Sequence, residues 1–445
     1  MTALVVLCAS LVAAAGAGSA ASLVPARVDA ALLLQSSQAA DGLRSFFDGV
    51  AQRAPALSAR AHLAALVGAD LFAEAPGWGL SPSGGRAIVL ASGSFALSAP
   101  VREAKAARSA LEAWLREAGP VRTVRSAAGR PALSSGDGRR TRIGMIAPVG
   151  ASLRLLTASG EQAQSLIAAL GRVGARTNAT ATLAGDAAMR PALSRLTGPA
   201  ALVLRSADPV RGAALALDGS AQGLIGKGLV LATAPLLAGH APGVSACAGA
   251  TLLCVRAALG PSGRDLLSAG ARAYLRTLFG DAPEREAFDR GAQRASGAAE
   301  QLVVRSDGAD VRFLSGPRSP LWALRVVAST APGPGEAAVE AEAPRPSCIR
   351  SSQTGASFAT PCTHNAPDPT AAAGESALDG QLDLAAVDRA LQDLTPLDAI
   401  HGGTAGAFFA ARLTISGLLR RSGPVLLHGD PHPLGAQIEL RWPLR

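Results

Sequence analysis

The stretch ALVLRSADPVRGAALALDGSAQGLIGKGLVLA, residues 201–232, decides the fold class. Its apolar residues recur at every second position, the period of a chain whose side chains point alternately to two faces of a sheet. Short strands are predicted at Ala201–Leu204, Ala214–Leu217 and Leu229–Ala232, with turn residues such as Asp218-Gly219 between them. Strands joined by so few residues run antiparallel.

Upstream, helical and strand periods alternate. Ala30 to Leu34 reads as a buried strand, and the Leu43, Phe46, Phe47 and Val50 that follow fall on one helical face. A second helix is predicted from Ser58 through Leu63 and Leu66, then a strand at Ala87–Ala91. The stripe Ala104, Ala107, Leu111, Trp114, Leu115 and Ala118 marks a helix that Gly119-Pro120 stops. Strands around Ile143 and Leu153 and a helix carrying Ala163, Leu166, Ile167 and Leu170 complete the region.

Downstream, the order recurs. Thr251 to Val255 followed by Leu266, Leu267, Tyr274, Leu275 and Leu278 echoes the strand and helix at 30–50. Gly380 to Leu394 echoes Ala201 to Ala213, and a closing hairpin of Ala411–Ile415 with Ala436–Trp442 echoes the strands ending near Ala232. The expectation is therefore an α+β protein, with helices packed on antiparallel sheets, in two tandem related units. The first spans 22–235, and the second spans 236–330 and 377–445. Between the two parts of the second, residues 331–376 hold Pro332, Pro334, Pro344, Pro346, Pro361, Pro367 and Pro369 with no sustained period, so a linker or surface insertion is expected there.

The composition sets the outer limits. A chain of 445 residues with 49% apolar side chains can bury more than one core. Its formal charge of +9 comes almost wholly from arginine, since only Lys105 and Lys227 are lysines. Doublets such as Arg139-Arg140 and Arg420-Arg421 are isolated, and aromatics make up only 3% of the chain. Nucleic acid, which selects clustered basic residues interleaved with stacking rings, is not an expected partner.

The N-terminus reads as a signal peptide over residues 1–21. An apolar run from Ala3 to Ala15 leads into Gly16-Ala17-Gly18-Ser19-Ala20-Ala21-Ser22, with cleavage expected after Ala20 or Ala21. No Lys or Arg precedes the run. It is shorter than the ~20 strongly apolar residues of a membrane helix, so no span is expected once the leader is removed. Cys8 is not a lipidation site, because Leu7 stands where a small residue must precede the modified cysteine.

Removing the leader leaves Cys247, Cys254, Cys348 and Cys362. An even number outside the cytoplasm predicts two disulfides. Three connectivities are possible, and the local one, 247 with 254 and 348 with 362, asks least of the rest of the fold. Neither spacing is the Cys-x-x-Cys of a zinc or redox site.

The segment Leu23-Val24-Pro25-Ala26-Arg27-Val28-Asp29-Ala30 behind a leader, with the Gly-Leu-Ser-Pro turn at Gly79–Pro82, resembles the opening of a group of exported bacterial proteins of unknown function. These close with polar-alternating strands. The resemblance covers the opening region and the tail, implies a periplasmic or extracellular address, and carries over no catalytic residues.

Three strings tempt a chemical reading, the first of them in two ways. Leu427-His428-Gly429-Asp430-Pro431-His432-Pro433 is similar to the catalytic loop of aminoglycoside-type phosphotransferases, but Gly435 stands where the magnesium-holding Asn belongs and neither lysine fits a nucleotide lobe. As a metal set, His428, Asp430 and His432 fall on one side of an extended segment, with His401 as a fourth ligand. Pro431 and Pro433 argue instead for a turn between strands. Gly219 to Lys227 fails as a phosphate loop at Ala221 and Gly228, and Gly243 to Cys247 misses the nucleophile elbow at its last position. His62, His240 and His364 stand apart from other ligand types. No cofactor is expected. The functional expectation is a non-catalytic exported protein that binds an envelope component, a protein partner or an apolar ligand. The alternative is an exported hydrolase or metal-dependent enzyme whose site is assembled from distant residues.

Overall fold

The computed structural model describes residues 17–238, apart from breaks at 38, 56–57, 73–75, 127–128, 151, 174–180 and 207–208. Beyond them it describes 251–257, 260–263, 265–266, 309–316, 319–328, 347–351, 357–361, 376–385, 388 and 416–445. The chain is mixed helix and strand, and it divides into two compact units. One takes Met1–Ala207, Arg211–Leu229 and Leu444; the other takes Asp208–Val210, Val230–Pro443 and Arg445. The boundary falls at Leu229/Val230, ahead of the 235/236 expected from sequence. From Val230 onward the chain packs with Ala232, Leu236 and Leu237 against Ala377, Leu378 and Ala436.

The first unit carries β1 (Ala30–Leu34), α1 (Asp41–Arg53), α2 (Ala59–Val67), β2 (Arg86–Ala91), β3 (Ser94–Pro100) and α3 (Ala104–Arg116). There follow β4 (Arg122–Arg125), β5 (Pro131–Ser135), β6 (Arg142–Val149), β7 (Ser152–Ser159), α4 (Ala163–Arg172), β8 (Ala200–Arg205) and β9 (Val210–Ser220). Strand β10 (Gly223–Ala232) enters the unit through its residues up to Leu229. The sheet order is β4-β5-β6-β7-β3-β2-β1-β8-β9-β10, antiparallel at every pairing from β4 to β9.

Register decides which helix meets which face. Gly144 sits opposite Thr157, and Met145 opposite Leu156, so the two pairs face opposite sides. On the first side, the Thr157 hydroxyl donates to the Val67 carbonyl at the end of α2, and a side chain at Gly144 would overlap Leu111 of α3. On the second side, Met145 lies against Gly171 of α4. Helix α2 begins at Ser58, whose hydroxyl accepts from Ala61 N, and ends at Gly68 with φ +89°.

Strand β9 runs through Asp218-Gly219, where a turn was expected, and the chain reverses at Ala221-Gln222. Gly219 is there for a different reason: a side chain on it would strike the backbone of Gly42 and Leu43, so it lets α1 rest directly on the strand.

The second unit carries β11 (Thr251–Ala257), β12 (Ala309–Gly316), β13 (Ser319–Ala328), β14 (Ser347–Ser351), β15 (Ser357–Pro361), β16 (Leu378–Leu382), β17 (Val425–His432) and β18 (Gly435–Pro443). Its strands run β14-β15-β13-β12-β11-β16-β17-β18, all antiparallel. Two strands, β14 and β15, fall inside the Pro-rich stretch 331–376 expected to be a linker or surface insertion, and they pair with Cys348 opposite Thr360. The closing hairpin is β17 with β18, whereas the expected first arm, 411–415, lies outside the described residues.

Candidate functional site

The N-terminal 3-10 helix Ala17–Leu23 packs against β1, β2 and β8. Ala20, Ala21 and Val24 are fully buried there, so the expected cleavage positions lie within the packed structure. The close approach needs a bare backbone opposite. A Cβ on Gly85 would come within 3.1 Å of Leu23 Cδ1 and 3.3 Å of Ala20 Cβ.

Beside this helix opens a cleft of about 490 Å³. Its walls come from four separate pieces of chain: Ala20 to Leu23, Ser81 to Gly85, the end of β3 at Pro100-Val101, and the start of β7 at Ser152 to Arg154. The segments quoted above for the resemblance meet here, since Leu23 and Ser81 both line the cleft. Leu80 bridges to Val101, and Ser81 N donates to Pro100 O at 2.9 Å, which fixes the loop before β2 against the end of β3.

Arg154 is the group that sets the chemistry. Pro100 and Ala147 flank it on neighbouring strands, which puts it on the same face as Leu156 and Ser98. The side chain is 2% exposed. Its Nε donates to Ser98 Oγ at 2.8 Å, and Nη2 donates to Gly85 O at 2.6 Å and Ser98 O at 3.0 Å. Nη1 has no hydrogen-bond partner among the described residues, and Arg154 takes part in no ion pair there. Burial, with repulsion from Arg86 second, lowers the Arg154 guanidinium to about 10. Arg86 is fully buried, with Nη1 donating to Leu71 O at 2.5 Å and Nη2 to Ser81 O at 2.7 Å.

Around this cation stand the hydroxyls of Ser22, Ser81, Ser83 and Ser152. Ser81 and Ser83 are joined through their hydroxyls at 3.0 Å, and Ser152 Oγ donates to Val149 O at 3.4 Å. Among the described residues, neither a carboxylate, an imidazole nor a thiol lines the cleft. Such a lining can orient and neutralise an anionic or polar group, and it contains no ordinary general base.

The residues singled out from sequence lie elsewhere. His428, Asp430 and His432 occupy alternate positions of β17, which continues through Pro431 and turns at Pro433-Leu434. His428 Nδ1 lies 2.8 Å from Asp379 Oδ1 on β16, while His432 Nδ1 accepts from Leu434 N at 3.2 Å. The two histidines are thus engaged with different partners, and His401 lies outside the described residues. Among the described residues, no three His, Cys, Asp or Glu side chains are grouped to hold a metal ion. Cys254 falls in β11 and Cys348 in β14, and Cys247 and Cys362 lie outside the described residues. None of the described helices is long and apolar enough to cross a membrane.

Arg154 was missed from sequence although a signal was present. In Ser152-Leu153-Arg154-Leu155-Leu156-Thr157-Ala158, period two puts the charge on the face it shares with Leu156 and Ala158, both fully buried. No family model, curated protein or solved structure matches the chain.

Proposed function

We propose that this chain is an exported, non-catalytic binding protein of the periplasm or cell surface, and that its ligand, an envelope component, sits in the cleft over Arg154. The observation that carries the reading is the pairing of a buried guanidinium, held by the chain but matched by no carboxylate, with a rim of hydroxyls and two glycines. A group kept charged at such a desolvation cost is more useful for recognition than for packing. The buried cation, set in a lining that is part polar and part apolar, favours an envelope component with a charged end over a wholly apolar ligand. The leader-like N-terminus and the four cysteines that remain without it support the address.

The two units are related copies in this reading. What supports it is topology: with the added edge strands β4 and β5 set aside, β6-β7-β3-β2-β1-β8-β9-β10 and β14-β15-β13-β12-β11-β16-β17-β18 follow one sheet order when each is numbered along its own chain. The Arg154 cleft lies in the first copy.

A photoreactive amino acid placed at Ser83, a cleft residue that is exposed, tests the site in exporting cells. The expected result is a crosslink to an envelope component that is absent when the same group replaces Arg139, which lies outside the cleft. Identical crosslinks from both positions, or none from Ser83, would overturn it.

A further inference from the structure

We infer that the cleft takes a tetrahedral oxyanion, a phosphate or sulfate group, with Arg154 as its principal donor and the serine rim completing the shell. This rests on the cleft being the ligand site. Arg154 spends Nε and Nη2 on Ser98 and Gly85, which leaves the two N–H groups of Nη1 for a guest. An ionised acceptor there would form charge-assisted bonds and offset the burial of the cation. Arg86, close enough to repel Arg154, adds positive potential from behind the site.

The donors approach from different directions. Ser83 stands on the loop before β2, and Ser152 and Arg154 stand at the start of β7. Donors supplied by separate pieces of chain suit an acceptor whose oxygens spread in three dimensions better than a flat carboxylate. Gly84, with φ +90°, and Gly85 present backbone without side chains, so a bulky oxyanion can come close. A cation would meet the Arg154 guanidinium and no carboxylate among the described lining residues. A volume of about 490 Å³ exceeds one oxyanion, so the phosphate is the anchoring end of a larger molecule.

Isothermal titration of the exported protein with sodium sulfate, against sodium chloride at matched ionic strength, tests the inference. Saturable binding of sulfate alone is expected. Arg154→Gln should weaken it by about tenfold or more, the size of one lost charge-assisted bond. Because that variant removes a buried tie between strands, the double variant Ser83→Ala/Ser152→Ala is the parallel test: it should weaken binding by about threefold or more at an unchanged melting temperature. Sulfate binding no better than chloride, or full affinity in the double variant, would refute the oxyanion. Glycerol phosphate and phosphatidylglycerol vesicles then separate the sources. Binding of the soluble ester alone assigns a soluble or polymeric phosphate, and co-sedimentation with vesicles that the double variant loses assigns a lipid headgroup. If Ser83 crosslinks an envelope component while sulfate fails to bind, the oxyanion falls and the site stands. If sulfate binds and no crosslink forms, the anion site stands and the envelope ligand falls.

Discussion

Arg154 holds Ser98 at two points, through the hydroxyl at 2.8 Å and the carbonyl at 3.0 Å, and so fastens the start of β7 to the end of β3 beneath the cleft. This grip fixes the guanidinium and leaves Nη1 without a hydrogen-bond partner among the described residues. Preorganisation of that kind lowers the ordering cost of binding.

The titration of Arg154 gives a pH dependence with a definite sign. An unfolded arginine keeps its proton to the usual strongly alkaline arginine value, whereas the folded one is lowered to about 10. Between those values the unfolded chain binds more protons, so this group's contribution to stability rises with pH there and is flat below about 10. An anion prefers the protonated form. Sulfate, whose charge is constant over this range, should bind equally at about pH 7 and pH 9, then lose about tenfold per unit beyond the folded pKa. Thermal shifts at fixed sulfate across that range check it, and undiminished affinity at about pH 11 would contradict it.

Gly85→Val should separate the N-terminal 3-10 helix from the sheet. Its first carbon would meet Leu23 at 3.1 Å and Ala20 at 3.3 Å, both in fixed positions. A loss of about 1–3 kcal/mol is expected by chemical denaturation, with weakened ligand binding. Wild-type stability with wild-type binding would mean that the helix does not wall the cleft.

Gly68→Ala tests the packing of α2 on α3. The residue closes α2 at φ +89°, and a Cβ would lie 2.8 Å from Trp114 Cδ2. Strain and overlap together should cost about 2 kcal/mol or more, read from the denaturation midpoint. The cleft does not include this position, so sulfate affinity should be unchanged.

The thiols provide a test of compartment. Under denaturing conditions without reductant, the exported protein should take up no alkylating label, and after reduction it should take up four, at Cys247, Cys254, Cys348 and Cys362. Four labels without reductant would remove the disulfides.

Much of the first unit's fold was legible because its apolar residues are periodic. Leu43, Phe46 and Val50 are the buried stripe of α1, and Leu111, Trp114 and Leu115 that of α3, as their spacing indicates. Strand β3 was harder to read. In Ser94-Phe95-Ala96-Leu97-Ser98-Ala99-Pro100 both faces are buried, so alternation is lost, and small residues fill it because helices and neighbouring strands lie close. The Asp218-Gly219 pair carried a turn signal, yet the glycine answers to the contact with α1, a tertiary demand that no local pattern records. The cleft was illegible for a similar reason. Its walls come from residues 20–23, 81–85, 100–101 and 152–154, and only pairing of β3 with β2 and β7 brings these together. The histidines at 428 and 432 drew attention because they are close in sequence, a weaker guide than a charge on a buried strand face.

Burial of Ala20 and Ala21 bears directly on processing. In the reading proposed here, with both inside the structure and Leu23 walling the cleft, a working mature chain retains them, so cleavage is expected not after Ala20 or Ala21 but at the small residues Ala15-Gly16-Ala17 just upstream. Fractionation of cells expressing the full chain, followed by intact mass measurement, tests export and cleft together. The expected product is periplasmic or secreted and begins at Gly18, and full-length protein in the cytosol, or a mature form beginning at Ser22, would contradict it.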